Sequence, residues 1–180
     1  MEPILENRPI LSFRQPSAAD GPAIHNLVRH CPELDANSRY AYLLLATHFS
    51  HTCLLALANG VVVGFVSGYR IPNRPETLFV WQIGVDPAWR GRGVAGNLLS
   101  RLLDGLTPPT LFIETTITTS NTASQRLFVS LARRLGTTCV QEAGFGESLF
   151  APSQHEAEHL FRIGPLVHAD GHQPAVALLT

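Results

Sequence analysis

From Thr77 to Ser100 the chain reads Thr-Leu-Phe-Val-Trp-Gln-Ile-Gly-Val-Asp-Pro-Ala-Trp-Arg-Gly-Arg-Gly-Val-Ala-Gly-Asn-Leu-Leu-Ser, and no other stretch restricts the fold so strongly. Leu78, Phe79, Val80, Trp81, Ile83 and Val85 are apolar, β-branched or aromatic and fit no helical stripe, so the first half predicts a strand ending at Asp86-Pro87. Gly91, Gly93 and Ala95 then precede Leu98, Leu99, Leu102 and Leu103 at helical spacing, which predicts a tight turn and a helix N-terminus. Such a turn suits an anion, because the first N–H groups of a helix lack partners within it and the helix dipole adds positive charge there. Small residues let backbone N–H groups approach phosphate oxygens, and Arg90 and Arg92 add charge.

The rest of the chain supplies a context of strands and helices. Leu11-Ser12-Phe13-Arg14 alternates as a short strand, and Ser17-Ala18-Ala19-Asp20 has capping-box spacing ahead of a helix expected over about residues 18 to 30. A second helix is expected from Asn37 or Ser38. Thr52 to Ala58 and Val61 to Tyr69, separated by Asn59-Gly60, predict an antiparallel hairpin. Pro72-Asn73-Arg74-Pro75 reads as loop. After the long strand and its helix come a buried strand at Leu111 to Thr115, a helix that starts near Asn121 and ends at Gly136, a strand from Thr137 to Gln141, a loop at Gly144-Phe145-Gly146, and a last strand at Leu160 to Ile163. Residues 1–9 are expected to be a flexible leader, 10–166 one domain, and 167–180 a mobile tail.

Composition narrows the functional classes. At 180 residues, 45% hydrophobic and 15% charged, the chain suits one globular domain with a sizeable core. A net charge of −1 gives no electrostatic case for nucleic acid or for an anionic membrane, and favours small-molecule partners. Cys31, Cys53 and Cys139 are odd in number and scattered, which suggests neither a disulfide framework nor a zinc knuckle and points to the reducing cytoplasm. No secretory leader or spanning segment is expected.

There is no P-loop spacing. Arg90, Gly93 and Ala95 instead fill the pattern Gln/Arg-x-x-Gly-x-Gly/Ala, which resembles the pyrophosphate loop of the Gcn5-related N-acetyltransferase (GNAT) family. The order of elements is similar to that family across nearly the whole chain. The resemblance implies an α/β fold with a mixed, mostly antiparallel central sheet flanked by helices, and acetyl-coenzyme A as cosubstrate without a metal. It implies cofactor contacts from Ile83, Gly84, Val85, Arg90, Gly91, Arg92, Gly93, Val94, Ala95 and Asn121. Asn121-x-x-Ser124-x-x-Leu127-Phe128 resembles the family's Asn-x-x-Ala-x-x-Leu-Tyr helix, but Phe128 cannot donate the proton that the family's tyrosine often gives to the departing thiolate.

A narrower resemblance rests on Pro32 to Leu45, Thr77 to Gln82, Glu114-Thr115-Thr116 and Leu160 to Pro165. These stretches look like a branch of the family that acetylates the terminal amine of a small diamino acid, and they imply a homodimer. An alkylammonium must be bound and deprotonated before it attacks a thioester. Glu114, at the end of a buried strand, is the expected general base, since a partly apolar site raises a carboxylate's pKa. Asp35 is expected to hold or orient an ammonium group. Asn37, Tyr40, Trp81, Thr115 and His155 are further acceptor-site candidates, and Arg39, Arg70 and Arg74 are possible partners for the substrate carboxylate.

Two other classes compete. His155-Glu156-Ala157-Glu158-His159 satisfies His-Glu-x-x-His, a zinc-hydrolase pattern that needs a helix to bring both imidazoles to one face. A non-catalytic acyl-coenzyme A sensor would share the fold without turning over an amine.

Overall fold

The computed structural model describes residues 10–150 and 155–167. The expected leader, and all of the expected tail but residue 167, therefore lie outside the described residues. Among the described residues seven strands run β1 (Leu11–Arg14), β2 (Leu54–Ala58), β3 (Val61–Ile71), β4 (Arg74–Val85), β5 (Phe112–Thr118), β6 (Cys139–Phe145) and β7 (Glu158–Ile163). The helices are α1 (Gly21–Arg29), α2 (Arg39–His48), α3 (Val94–Gly105) and α4 (Thr122–Arg134). The sheet order is β1-β2-β3-β4-β5-β7-β6. β4 and β5 are parallel, whereas β1–β2, β2–β3, β5–β7 and β6–β7 are antiparallel.

The chain divides into two compact units, Met1–Gly68 with Gln82–Leu102, and Tyr69–Trp81 with Leu103–Thr180. In the first unit, Ile24, Leu27 and Val28 recur at helical spacing on α1 and are buried with Tyr42 and Leu45 of α2 against Leu55, Leu57 and Phe65 of the hairpin. The hairpin turns at Asn59 and Gly60, both with positive φ, as the Asn-Gly pair predicts. Ser38 caps α2 by accepting the Ala41 N–H at 3.3 Å.

Asp20 precedes α1 and is nearly buried. It accepts the Ser17 N–H at 2.7 Å and both Nη groups of Arg14 at 2.7 and 2.8 Å. The Arg14 hydrogen bonds hold its carboxyl well below the usual carboxylate range. A depressed folded-state pKa means that the stabilisation is fully present above the unfolded value of about 4 and is lost as pH falls through the folded value. Asp20→Asn is therefore expected to cost about 1–2 kcal/mol at pH 7, discounted because Arg14 is half exposed. Urea unfolding should show that penalty shrinking below about pH 4.

In the second unit, α4 lays Phe128, Leu131 and Ala132 on β7 and β6, where Phe161 and Ile163 are buried, and Ile113 and Ile117 of β5 complete the core. Gly136 follows α4 with φ 67°, a left-handed helix stop. Two expected loops prove to be strand. β4 already begins at Arg74, so the turn contracts to Pro72-Asn73, and β6 continues through Gly144 to Phe145. Gly144 looks like a loop residue in sequence, but a Cβ there would collide with the Glu158 carbonyl; glycine lets the two strands close. Among the described residues no helix is long and apolar enough to cross a membrane.

Candidate active site

The turn after β4 has the geometry its glycines foreshadow. Asp86 accepts the Ala88 N–H at 2.9 Å and caps a single 3-10 turn over Pro87–Trp89. Gly91 and Gly93 follow at φ 73° and 75°, a region that strains residues with a Cβ. The Asn97 N–H bonds the Gly93 carbonyl at 3.0 Å, so the amides of Val94, Ala95 and Gly96 lie at the open end of α3. The Val94 side chain is buried, which leaves its amide as the group it can offer a ligand. Arg92 lies over the Trp89 ring, 4.9 Å from its centroid.

Among the described residues β4 pairs with β5 over Thr77–Phe79 and then runs on to Val85. At Gly84 a Cβ would stand 2.7 Å from Phe65 Cε1 and 3.1 Å from Leu34 Cδ1, so glycine is what lets Ile83-Gly84-Val85 lie against the core. The Val85 carbonyl accepts Arg90 Nε–H at 3.2 Å and the Cys31 thiol at 3.7 Å. The three cysteines are free, and burial pushes the Cys53 thiol up to about 11.

Also in the first unit, the segment between α1 and α2 carries Asp35 and Asn37, and Tyr40 stands 67% exposed at the start of α2. Its shape is set by two residues to which the sequence assigned no role. Tyr42, fully buried, donates its hydroxyl to Gln82 Oε1 at 3.1 Å and accepts the Asn37 N–H at 3.3 Å. Gln82 Nε2 donates to the Asp35 carbonyl at 2.8 Å. Asn37 Nδ2 meets the same carbonyl at 3.4 Å. A buried tyrosine–glutamine pair thus presents Asp35 and Asn37, and because both groups are satisfied, the pair is rigid.

The second unit holds Glu114, Thr115, Trp81, Asn121 and His155. Glu114 is 2% exposed, and both of its oxygens are occupied. Arg74 bonds them bidentately at 2.6 and 2.9 Å, Arg162 bonds Oε1 from the opposite strand, and the Arg162 guanidinium lies 4.1 Å over Phe112. The Glu114 hydrogen bond also raises the pKa of Arg74. Glu114, the expected general base, would have to break an ion pair to take a proton in this arrangement, and Arg74 is engaged by Glu114. Arg70 donates to the Pro75 carbonyl at 2.8 Å and to the Pro108 carbonyl, so two of the three arginines considered for the substrate carboxylate serve the fold.

The register places Thr118 opposite Glu158, Thr116 opposite Leu160 and Glu114 opposite Arg162, which puts Glu114, Thr116, Glu158 and Arg162 on one sheet face. Phe79 is in register with Glu114, so Trp81, 40% exposed, shares that face. Thr115 lies on the opposite face and is buried; it is the Thr116 hydroxyl that donates to Glu158. Glu158 stands 3.6 Å from His155 Nε2 and among the described residues pairs with no guanidinium, and the His155 ring stacks on Phe150 with centroids 4.1 Å apart. Sequence reading missed Glu158 because it was absorbed into His-Glu-x-x-His; the alternation of Glu158, Leu160 and Arg162 was the available signal. Residues 155–157 form no helix and Glu158–Ile163 is a strand, so the imidazoles of that pattern do not share a helix face. Asn121 caps α4, its Oδ1 accepting the Ser124 N–H at 3.1 Å, and Phe128 is 1% exposed within the core.

Comparison with known proteins identifies the family. A family model described as Acetyltransferase (GNAT) family matches residues 21–132. The L-2,4-diaminobutyric acid acetyltransferase of Methylotuvimicrobium alcaliphilum is 44% identical over 158 residues, covering 87% of this chain and 92% of that protein. The protein of the same name from Streptomyces avermitilis is 45% identical over 165 residues, covering 88% and 90%. Among solved structures, diaminobutyrate acetyltransferase EctA from Paenibacillus lautus, in complex with its substrate L-2,4-diaminobutyric acid and coenzyme A, aligns with a TM-score of 0.85 at 39% identity, over 89% of this chain and 98% of that one. YncA from Salmonella typhimurium, with its cofactor acetyl-CoA, has a TM-score of 0.66 at 22% identity over 91% of this chain and 99% of that one, a likeness of fold.

Proposed function

The chain belongs to the acetyltransferase (GNAT) family, and from that premise we propose that it transfers acetyl from acetyl-coenzyme A to the 4-amino group of L-2,4-diaminobutanoate. The product, N4-acetyl-L-2,4-diaminobutanoate, is the acetylated intermediate on the way to ectoine. The observation that carries this reading is the Paenibacillus lautus structure, which holds that diamino acid together with coenzyme A.

The residues of this chain divide the work by chemistry. The amides at the open end of α3, with Gly91 and Gly93 clearing the approach, suit the pyrophosphate. The backbone of Ile83-Gly84-Val85 suits the amides of the pantetheine arm, because a strand that outruns its neighbour must place its N–H and C=O groups elsewhere. A backbone N–H of that stretch is the natural donor to the tetrahedral oxyanion. Asp35 and Asn37, fixed by Tyr42 and Gln82, take an ammonium group, and Trp81 offers a π-face to a cation. Glu158 is the carboxylate placed to take the amine's proton, directly or through water, with Thr116 and His155 orienting it. Glu114 acts one step removed, by fixing Arg74 and Arg162 on the same face.

We place the enzyme in the cytoplasm, in keeping with its three free cysteines, and as a homodimer, for which Val140 and Phe145, each 49% exposed on β6, offer apolar surface. Coenzyme A release should be measured with diaminobutyrate, diaminopropionate, ornithine, lysine and spermidine, with NMR on the product. The expected result is a preference for diaminobutyrate of about tenfold or more in kcat/KM, with acetyl on N4. Binding of acetyl-coenzyme A without turnover of any amine would sink the assignment and leave a sensor.

A further inference from the structure

Arg90 is one of two arginines in the phosphate turn, and each of its guanidinium nitrogens is already committed within the first unit. Nη1 pairs with Glu33 Oε1 at 2.6 Å, Nη2 donates to Glu33 Oε2 at 3.2 Å, and Nε donates to the Val85 carbonyl at 3.2 Å. Glu33 sits two residues before Asp35, in the segment that presents Asp35 and Asn37. Other ties of that segment include Leu34 N–H to the Cys31 carbonyl at 2.9 Å, Gln82 to the Asp35 carbonyl, and Asn37 N–H to the Tyr42 hydroxyl, and Asp35 has a further interaction of its own. The Glu33–Arg90 pair ties that segment to the phosphate turn.

We propose that Glu33 is a positioning residue that couples cofactor occupancy to the acceptor segment by competing with pyrophosphate for Arg90. This rests on the acetyl-coenzyme A reading above. A pyrophosphate carries more charge than a carboxylate and accepts the same planar fork of donors, so it displaces Glu33 from Arg90. The released carboxylate unties Glu33 and its neighbours from the turn, and the segment stays anchored at the Asp35 carbonyl by Gln82 and at the Asn37 N–H by Tyr42. Coupling is reciprocal: a segment tied down by Glu33 weakens cofactor binding by the same factor. Because the two side chains are 42% and 34% exposed, the factor is small.

Calorimetric titration of coenzyme A into the wild type, Glu33→Gln, Arg90→Met and the double variant tests this. Glu33→Gln is expected to bind coenzyme A about threefold more tightly, Arg90→Met more weakly, and Glu33→Gln added to Arg90→Met should change nothing further. Glu33→Asp, which keeps the carboxylate, is expected to stay within about twofold of wild type. Hydrogen exchange should show the amides of residues 33–36 speeding up when coenzyme A binds the wild type and unmoved in Glu33→Gln. Unchanged or weaker affinity in Glu33→Gln, an equal effect with Arg90 removed, or wild-type exchange that slows or stays level would overturn the coupling. A wild type that binds no coenzyme A would instead overturn the cofactor reading, and so the two failures are told apart.

Discussion

Glu158→Gln is expected to lower kcat by about 10²- to 10³-fold while changing coenzyme A affinity by less than about twofold. Glutamine keeps the shape and accepts the Thr116 hydroxyl, but it cannot take a proton from an alkylammonium. The choice of Glu158 over Glu114 follows from what each carboxylate touches. Glu158 has a hydroxyl and an imidazole near it and is partly open to solvent, whereas Glu114 is closed off between two guanidinium groups. Steady-state kinetics with diaminobutyrate, beside coenzyme A binding, makes the check. Turnover within about threefold of wild type would remove Glu158 from proton transfer.

For Glu114→Gln the expected result is a loss of stability. Removing the shared carboxylate leaves Arg74 and Arg162 without their common partner on a strand that is otherwise buried. Breaking such a buried pair typically costs about 3–5 kcal/mol, and the partial exposure of the arginines, 44% and 30%, brings the expected cost to about 2–3 kcal/mol. Urea unfolding should show a lower midpoint, and turnover should fall as the face that carries Trp81 and Glu158 loosens. An unchanged midpoint with turnover abolished would return the base to Glu114.

These two carboxylates also mark where sequence reading ran out. Periodicity alone located the long strand, the turn and α3, because alternation, φ-permissive glycines and leucines at helical spacing are local properties. Asn59-Gly60 fixed the hairpin for the same reason. Glu114 was correctly singled out as a buried acid at a strand, but its partners come from residues 40 and 48 positions away, and nothing local reveals that Arg74 and Arg162 converge on it. Thr115 and Thr116 are adjacent and chemically identical; only the register against β7 tells which one faces Glu158. Tyr42 and Gln82 look like ordinary core and strand residues until their hydrogen bond across 40 residues is seen. Gly144 shows the converse, a residue whose local preference for loop yields to strand pairing.

The enclosure of Glu114 bears on how the protein responds to ionic strength. The Debye length contracts from about 8 Å in 0.15 M salt to about 3 Å at 1 M, and exposed ion pairs weaken accordingly. Glu114 is buried while its two arginine partners are partly exposed, so the attraction that holds β4, β5 and β7 together is screened less than that of a fully exposed pair. A sheet clamped in this way is expected to lose less stability in added salt than one held by exposed pairs alone.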